Sequence, residues 1–170
     1  MSHEEELTIS LTVNGENVRC SVPVRQHLVD FLRGELGLTG SHIGCEHGIC
    51  GACTVRVDGA IVRGCLMLAV QADGAEVTTI EGLTESGEIA DLQENFVTRN
   101  ALQCGYCTPG MLMTAAELIK AGKPATRDEI RIFLSGNFCR CTGYHAIVDA
   151  VETTLNTRLQ HGCKGATDAA

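Results

Sequence analysis

The chain opens on a two-residue period. Leu7, Ile9, Leu11 and Val13 alternate with Thr8, Ser10 and Thr12, the pattern of a strand with one buried face. Asn14-Gly15 follows, the strongest short hairpin signal, and Val18, Cys20 and Val22 alternate with Asn17, Arg19 and Ser21 on the return. A two-residue turn there sets Leu11 opposite Val18, Ile9 opposite Cys20 and Leu7 opposite Val22. All three pairs are apolar, so the register is self-consistent and Cys20 is a core residue. Gln26 to Leu36 carries Leu28, Phe31, Leu32 and Leu36 at helical spacing, with Gly37 as its stop. A second hairpin is predicted over Thr54 to Arg63 around Asp58-Gly59, and a short strand over Glu76 to Ile80. These elements make a small mixed sheet with a helix on one face.

The period then changes. Ile89, Leu92 and Phe96 form a helical stripe. Thr108-Pro109 reads as an N-cap followed by proline at the first helical position, and Met111 to Lys120 stays apolar on one side until Gly122. Thr126 with Glu129 is a capping box for a helix that stops at Gly136, and Val148, Val151 and Leu155 mark a last helix. The switch near Thr84 to Glu88 divides the chain into units 1–84 and 85–161. Residues 162–170, with Cys163 among them, read as a disordered tail.

Composition sharpens this picture. At 170 residues the chain is one ordinary domain or two small ones. Aromatic residues are only 4% and Trp is absent, whereas there are ten cysteines. Half-domains of this size bury little apolar surface, and metals or cross-links commonly make up the difference. Met1 to Leu7 is polar and acidic, without the basic and apolar regions of a secretory signal. A reducing, cytoplasmic setting is therefore the expectation, where clustered cysteines read as metal sites before disulfides. No apolar run reaches membrane-spanning length. The net charge of −8 argues against nucleic acid, which needs a basic patch.

Cys45-x4-Cys50-x2-Cys53 has the plant-type [2Fe–2S] spacing, in which a fourth cysteine follows at a distance. The second hairpin supplies it. Pairing Val57 with Ala60 and Val55 with Val62 brings Gly64 opposite Cys53 and sets Cys65 beside the first three thiols. Gly44, Gly48 and Gly51 free the loop of Cβ atoms where it wraps tightly and aims N–H groups at sulfur. A Rieske arrangement needs Cys-x-x-His after Cys45-x-His47 and meets Cys50-x-x-Cys53 instead; His42 and His47 are loop residues.

Cys104-x2-Cys107 precedes the helix at Pro109, and Cys139-x-Cys141 lies between Gly136 and the last helix. Two helix-end loops thus converge four thiols, with the positive end of a helix dipole facing them. On local chemistry both a zinc site and an iron–sulfur cluster fit here.

Three blocks carry a resemblance. Gly44-Cys45-Glu46-His47-Gly48-Ile49-Cys50-Gly51-Ala52-Cys53, then Gln103-Cys104-Gly105-Tyr106-Cys107-Thr108-Pro109-Gly110, then Asn137-Phe138-Cys139-Arg140-Cys141-Thr142-Gly143-Tyr144 together resemble the iron–sulfur portion of the xanthine oxidase, or molybdenum hydroxylase, family. The resemblance covers roughly Leu7 to Leu159 and departs at no ligand position. A free-standing chain of this length looks like the small subunit of three-subunit members.

The resemblance implies an α+β chain with a β-grasp, plant-ferredoxin-like domain followed by a four-helix domain. It implies [2Fe–2S] clusters on Cys45, Cys50, Cys53 and Cys65 and on Cys104, Cys107, Cys139 and Cys141, with Gln103 and Cys141 touching a pterin. The partners implied are a large molybdopterin subunit and a medium FAD subunit, in a dimer of heterotrimers. The activity implied is single-electron transfer from molybdenum to FAD during hydroxylation of an aromatic N-heterocycle such as quinoline, with no catalytic acid, base or nucleophile in this chain. The alternatives are the small subunit of a carbon monoxide or aldehyde dehydrogenase of the same family, a stand-alone ferredoxin-like carrier, and a structural zinc protein.

Overall fold

The computed structural model describes residues 5–164. Strands β1 (Glu6–Val13), β2 (Glu16–Pro23), β3 (Thr54–Val57), β4 (Ala60–Arg63) and β5 (Glu76–Thr78) form one mixed sheet in the order β2-β1-β5-β3-β4. β1 pairs with β5 in parallel and every other pairing is antiparallel. Both hairpins have the register the sequence predicts: Leu11 faces Val18 and Ile9 faces Cys20 in the first, Val55 faces Val62 and Val57 faces Ala60 in the second. Each turn has both central residues at positive φ, 50° and 84° at Asn14-Gly15 and 48° and 82° at Asp58-Gly59, as two-residue hairpins demand. Cys20 packs against the sheet's core, while Leu7, at the open end of the hairpin, remains 49% exposed.

Helix α1 (Leu28–Gly34) lays Leu28, Phe31 and Leu32 on that core. It is shorter than the stretch its periodicity marks. Ahead of it, His27 bridges Leu68 and the Gln26 carbonyl accepts from Ala69 N–H (2.8 Å), so their backbone groups are committed to another segment. β5 likewise ends at Thr78, because Ile80 opens helix α2 (Ile80–Glu85), which the sequence pattern did not reveal.

The remaining helices are α3 (Ala90–Thr98), α4 (Thr108–Lys120), α5 (Arg127–Phe133) and α6 (His145–Lys164). Their core draws on Leu92, Phe96, Met111, Met113, Ile130 and Val151, and Ile80 and Leu83 of α2 join it. α4 is buried almost all round, from Gly110 through Ala116, the mark of a central helix. It packs against α2, α3, α5 and α6 and also against β3. β3 is therefore covered on both faces: Val55 and Val57 meet the sheet's own core, and all four of its residues are buried.

Thr108 is not the N-cap the sequence suggests. Gly105 (φ 81°) turns the chain so that Cys107 adopts helical angles and caps the helix itself, leaving the Thr108 hydroxyl buried without a partner. Thr126 and Glu129 do form the reciprocal capping box. After α5 a 3-10 turn, Leu134–Gly136, leads into the Cys139 loop. α6 runs through Gly162 to Lys164, three residues into the segment expected to be disordered. Residues 165–170 and the side chain of Cys163 lie outside the described residues.

Candidate metal centres

The loop before β3 collects the first four cysteines. Glu46, Gly48 and Gly51 stand at φ 55°, 74° and 76°, and the tight path they allow aims two N–H groups at one sulfur. Cys45 Sγ accepts from Cys50 N–H (3.3 Å) and His47 N–H (3.4 Å). The N–H groups of Cys50 and then His47 hold the Cys45 thiol down at about 6, so it is a thiolate at neutral pH, the form that binds metal. Cys50 lies beside Cys45 on one side and Cys53 on the other.

Cys53 and Cys65 are buried together with Val29, 2% exposed each. The hairpin delivers Cys65 as expected, since Gly64 N–H donates to the Cys53 carbonyl (3.1 Å). Burial, and then the neighbouring Cys65 sulfur, push the Cys53 thiol up to about 11. A group so raised becomes a thiolate only when a positive centre stabilises it. The glycines let the loop pack tightly: a Cβ on Gly44 would stand 3.0 Å from Cys50 Sγ, and one on Gly48 would collide with Leu66.

The second four converge from two helix-end loops. Cys104 and Cys141 Sγ are 3.6 Å apart and exposed. Cys107 neighbours Cys139, and burial followed by that sulfur pushes the Cys107 thiol up to about 12. At Cys139 burial works against ionisation, but the hydroxyl and N–H of Thr142 and the N–H of Cys141 outweigh it and hold the thiol below its ordinary value; Thr142 Oγ1 lies 3.1 Å from Cys139 Sγ. Tyr144 hydroxyl accepts from Cys139 N–H (2.8 Å) and donates to the Asn137 carbonyl (3.3 Å), fixing the loop's exit. Gln103 Nε2 donates to the Cys141 carbonyl (3.1 Å), so the two residues expected at a pterin share one exposed corner.

Among the described residues no three His, Cys, Asp or Glu side chains converge closely enough for one metal ion. The thiols meet in pairs instead, Cys45 with Cys50, Cys53 with Cys65, Cys104 with Cys141 and Cys107 with Cys139. That arrangement fits a two-iron unit held by four thiolates, two to each iron.

The two sites abut. Phe138 N–H donates to the Cys50 carbonyl (2.8 Å), joining the residue before one predicted ligand to another ligand's own backbone. Tyr106 hydroxyl donates to the Ile43 carbonyl (2.6 Å), and His42 stacks on the Tyr106 ring at 4.5 Å with its Nδ1 2.7 Å from the Tyr106 carbonyl. Buried Asn137 donates to the Gly51 carbonyl (3.1 Å) and accepts from Thr114 Oγ1 (2.9 Å). Gly110 of α4 comes so close that a Cβ there would collide with the Gly51 carbonyl. Farther out, Arg56, 7% exposed, pairs with Glu88 at 2.9 Å and Glu117 at 2.5 Å. Sequence reasoning assigned no role to Arg56, Arg63, Asn137 or Tyr144, because each acts through partners distant along the chain or through backbone groups.

A family model described as a 2Fe-2S iron-sulfur cluster binding domain matches residues 11–80, and one described as a [2Fe-2S] binding domain matches residues 79–152. The chain is 50% identical over 152 residues to caffeine dehydrogenase subunit gamma of Pseudomonas sp. (strain CBB1), covering 88% of this chain and 91% of that one. It is 49% identical over 150 residues to the nicotine 6-hydroxylase small subunit of Paenarthrobacter nicotinovorans, covering 88% and 90%. The crystal structure of quinoline 2-oxidoreductase from Pseudomonas putida 86 superposes with a TM-score of 0.84 at 47% identity, over 92% of this chain and 98% of the matched one.

The chain therefore belongs to the small iron–sulfur subunits of the xanthine oxidase family of molybdenum hydroxylases, with two [2Fe–2S] binding domains in series. The second four cysteines all fall within the matched [2Fe-2S] binding domain, residues 79–152. None of the described helices is long and apolar enough to cross a membrane.

Proposed function

We propose that Cys45, Cys50, Cys53 and Cys65 hold one [2Fe–2S] group and Cys104, Cys107, Cys139 and Cys141 the other. On this reading the chain relays single electrons from a molybdopterin in a large subunit to an FAD in a medium subunit. The hydrogen bond from Phe138 N–H to the Cys50 carbonyl carries the proposal, because it ties the two ligand loops directly together. When bound, each [2Fe–2S] group takes up and gives back one electron, so that a two-electron oxidation is divided into single steps.

The chain's own residues hold and orient. Exposed Gln103 and Cys141 present the second site outward, toward the pterin. At the rim of the first site Ile49 and Leu66, 58% and 63% exposed, offer an apolar surface to the flavin subunit. The units are residues 1–84 and 85–161, and the assembly is a dimer of heterotrimers. A cytoplasmic setting suits the described cysteines, all of which are free.

The substrate is an aromatic N-heterocycle. Supporting this, relatives named for caffeine, nicotine and quinoline are 47–50% identical to the chain. Carbon monoxide or an aldehyde is the second substrate class. A stand-alone carrier is disfavoured by the exposure of Cys104 and Cys141, which leaves one site's ligands in water unless a partner covers them.

Purification from the native source tests the proposal. The chain is expected to co-elute with a molybdenum subunit and a flavin subunit, and quinoline, nicotine or caffeine is expected to reduce both clusters. A lone chain by gel filtration overturns the subunit reading; reduction by carbon monoxide or an aldehyde alone overturns the substrate class.

A further inference from the structure

Arg63 lies at the end of β4, two residues before Cys65, and its guanidinium leaves the sheet for the other half of the molecule. One arm donates to Thr54 Oγ1, whose hydroxyl donates onward to the Gly51 carbonyl (2.6 Å). The other donates to the Gly136 carbonyl (2.8 Å) and lies 3.4 Å from Asn137 Oδ1. The cation is thus seated in the network that joins the two cysteine loops. Thr54 adjoins Cys53, Gly51 adjoins Cys50, and Asn137 stands two residues before Cys139.

Its seat between the two cysteine loops, without a carboxylate, sets this arginine apart. Arg56, Arg127, Arg131 and Arg158 each meet a carboxylate. Arg63 has no carboxylate partner among the described residues; every group it touches is neutral. Its charge is permanent, since a guanidinium does not deprotonate in proteins, and no adjacent anion cancels it. Whatever negative charge collects on either side therefore feels it, and being partly buried it is screened less than a surface charge.

Resting on the cluster assignment proposed above, we infer that Arg63 is a shared positioning cation that stabilises the reduced form of both [2Fe–2S] groups. A reduced group carries one more negative charge than an oxidised one, so a fixed positive charge between the two sites raises both potentials. It also lessens the repulsion that a first electron on one site exerts on a second electron at the other. A residue serving one site alone would move one potential; Arg63 moves two.

The test is a potentiometric titration, followed by EPR, of the purified complex carrying Arg63→Gln or Arg63→Lys. Removing a unit charge at this range changes a one-electron equilibrium by roughly tenfold, about 59 mV. R63Q is expected to keep the iron content of the unmodified complex while both midpoint potentials shift negative by that order, and R63K is expected to stay near the unmodified values. Unchanged potentials in iron-replete R63Q overturn the proposal, as does an equal shift in R63Q and R63K, which would trace the effect to hydrogen bonding and not to charge. Iron loss in R63Q with R63K intact also overturns it, making Arg63 a scaffold residue. A deficit of iron in the unmodified complex would instead defeat the cluster assignment, so the two failures remain distinct.

Discussion

Arg56 sits where strand alternation points a side chain at solvent, yet it is 7% exposed, because α4 covers that face of β3. Its guanidinium answers Glu117 from α4 and Glu88 from the segment after α2. Removing one partner of a buried ion pair costs about 3–5 kcal/mol; Glu88 is 37% exposed, so the lower end applies. Arg56→Ala is accordingly expected to destabilise the folded chain by about 3 kcal/mol, read as a lower urea midpoint with unchanged slope. Cys20 gives the opposite expectation. It pairs with Ile9 and packs, half-buried, against the first core, away from either ligand set, so Cys20→Ala should leave the iron content and both EPR signals intact. The first set of candidate ligands could be read from spacing because it is local and closed by one hairpin, whereas the second, split across α4 and α5, was told from zinc only by the resemblance. Arg56 and Asn137 could not be read from spacing, since Glu88, Glu117, Gly51 and Thr114 are brought to them by tertiary packing.

Among the elements, the hairpins were fully legible, because Asn14-Gly15 and Asp58-Gly59 fix both turn type and register. The helix ends were less so. At α5 the Thr126–Glu129 box is visible in the sequence and present in the fold, and Thr126→Ala is expected to cost about 1 kcal/mol, a fall in Tm of roughly 2–4 °C. At α4 the sequence favours Thr108 as the cap, but the thiol loop places Cys107 there, since Gly105 turns the chain one residue sooner. The start of α1 was obscured by the His27–Leu68 bridge, a long-range pairing without a local signature. Gly110 on α4 approaches the other half so closely that a Cβ there would collide with the Gly51 carbonyl. Gly110→Ala should cost about 1–3 kcal/mol by overpacking, and it should slow electron exchange between the two clusters measured after rapid reduction.

For the whole molecule, the helical core built around α4 and the sheet's own core meet across β3, with the two four-cysteine sites set against that seam. The fold class followed from the change of hydrophobic period, and the seam itself did not, because α4 reads as an ordinary amphipathic helix until β3 is found on its second side. On the proposed reading, the contact of the two loops through Phe138, Cys50 and Asn137 is what makes the chain a relay. The most direct test is EPR with metal analysis on the intact complex after reduction by its substrate. Two binding domains of two irons each predict four irons per chain and two distinct [2Fe–2S] signals, with Cys104→Ser removing the second signal and leaving the first. A single signal with zinc in the second site, or two signals that substrate cannot reduce, would contradict the account.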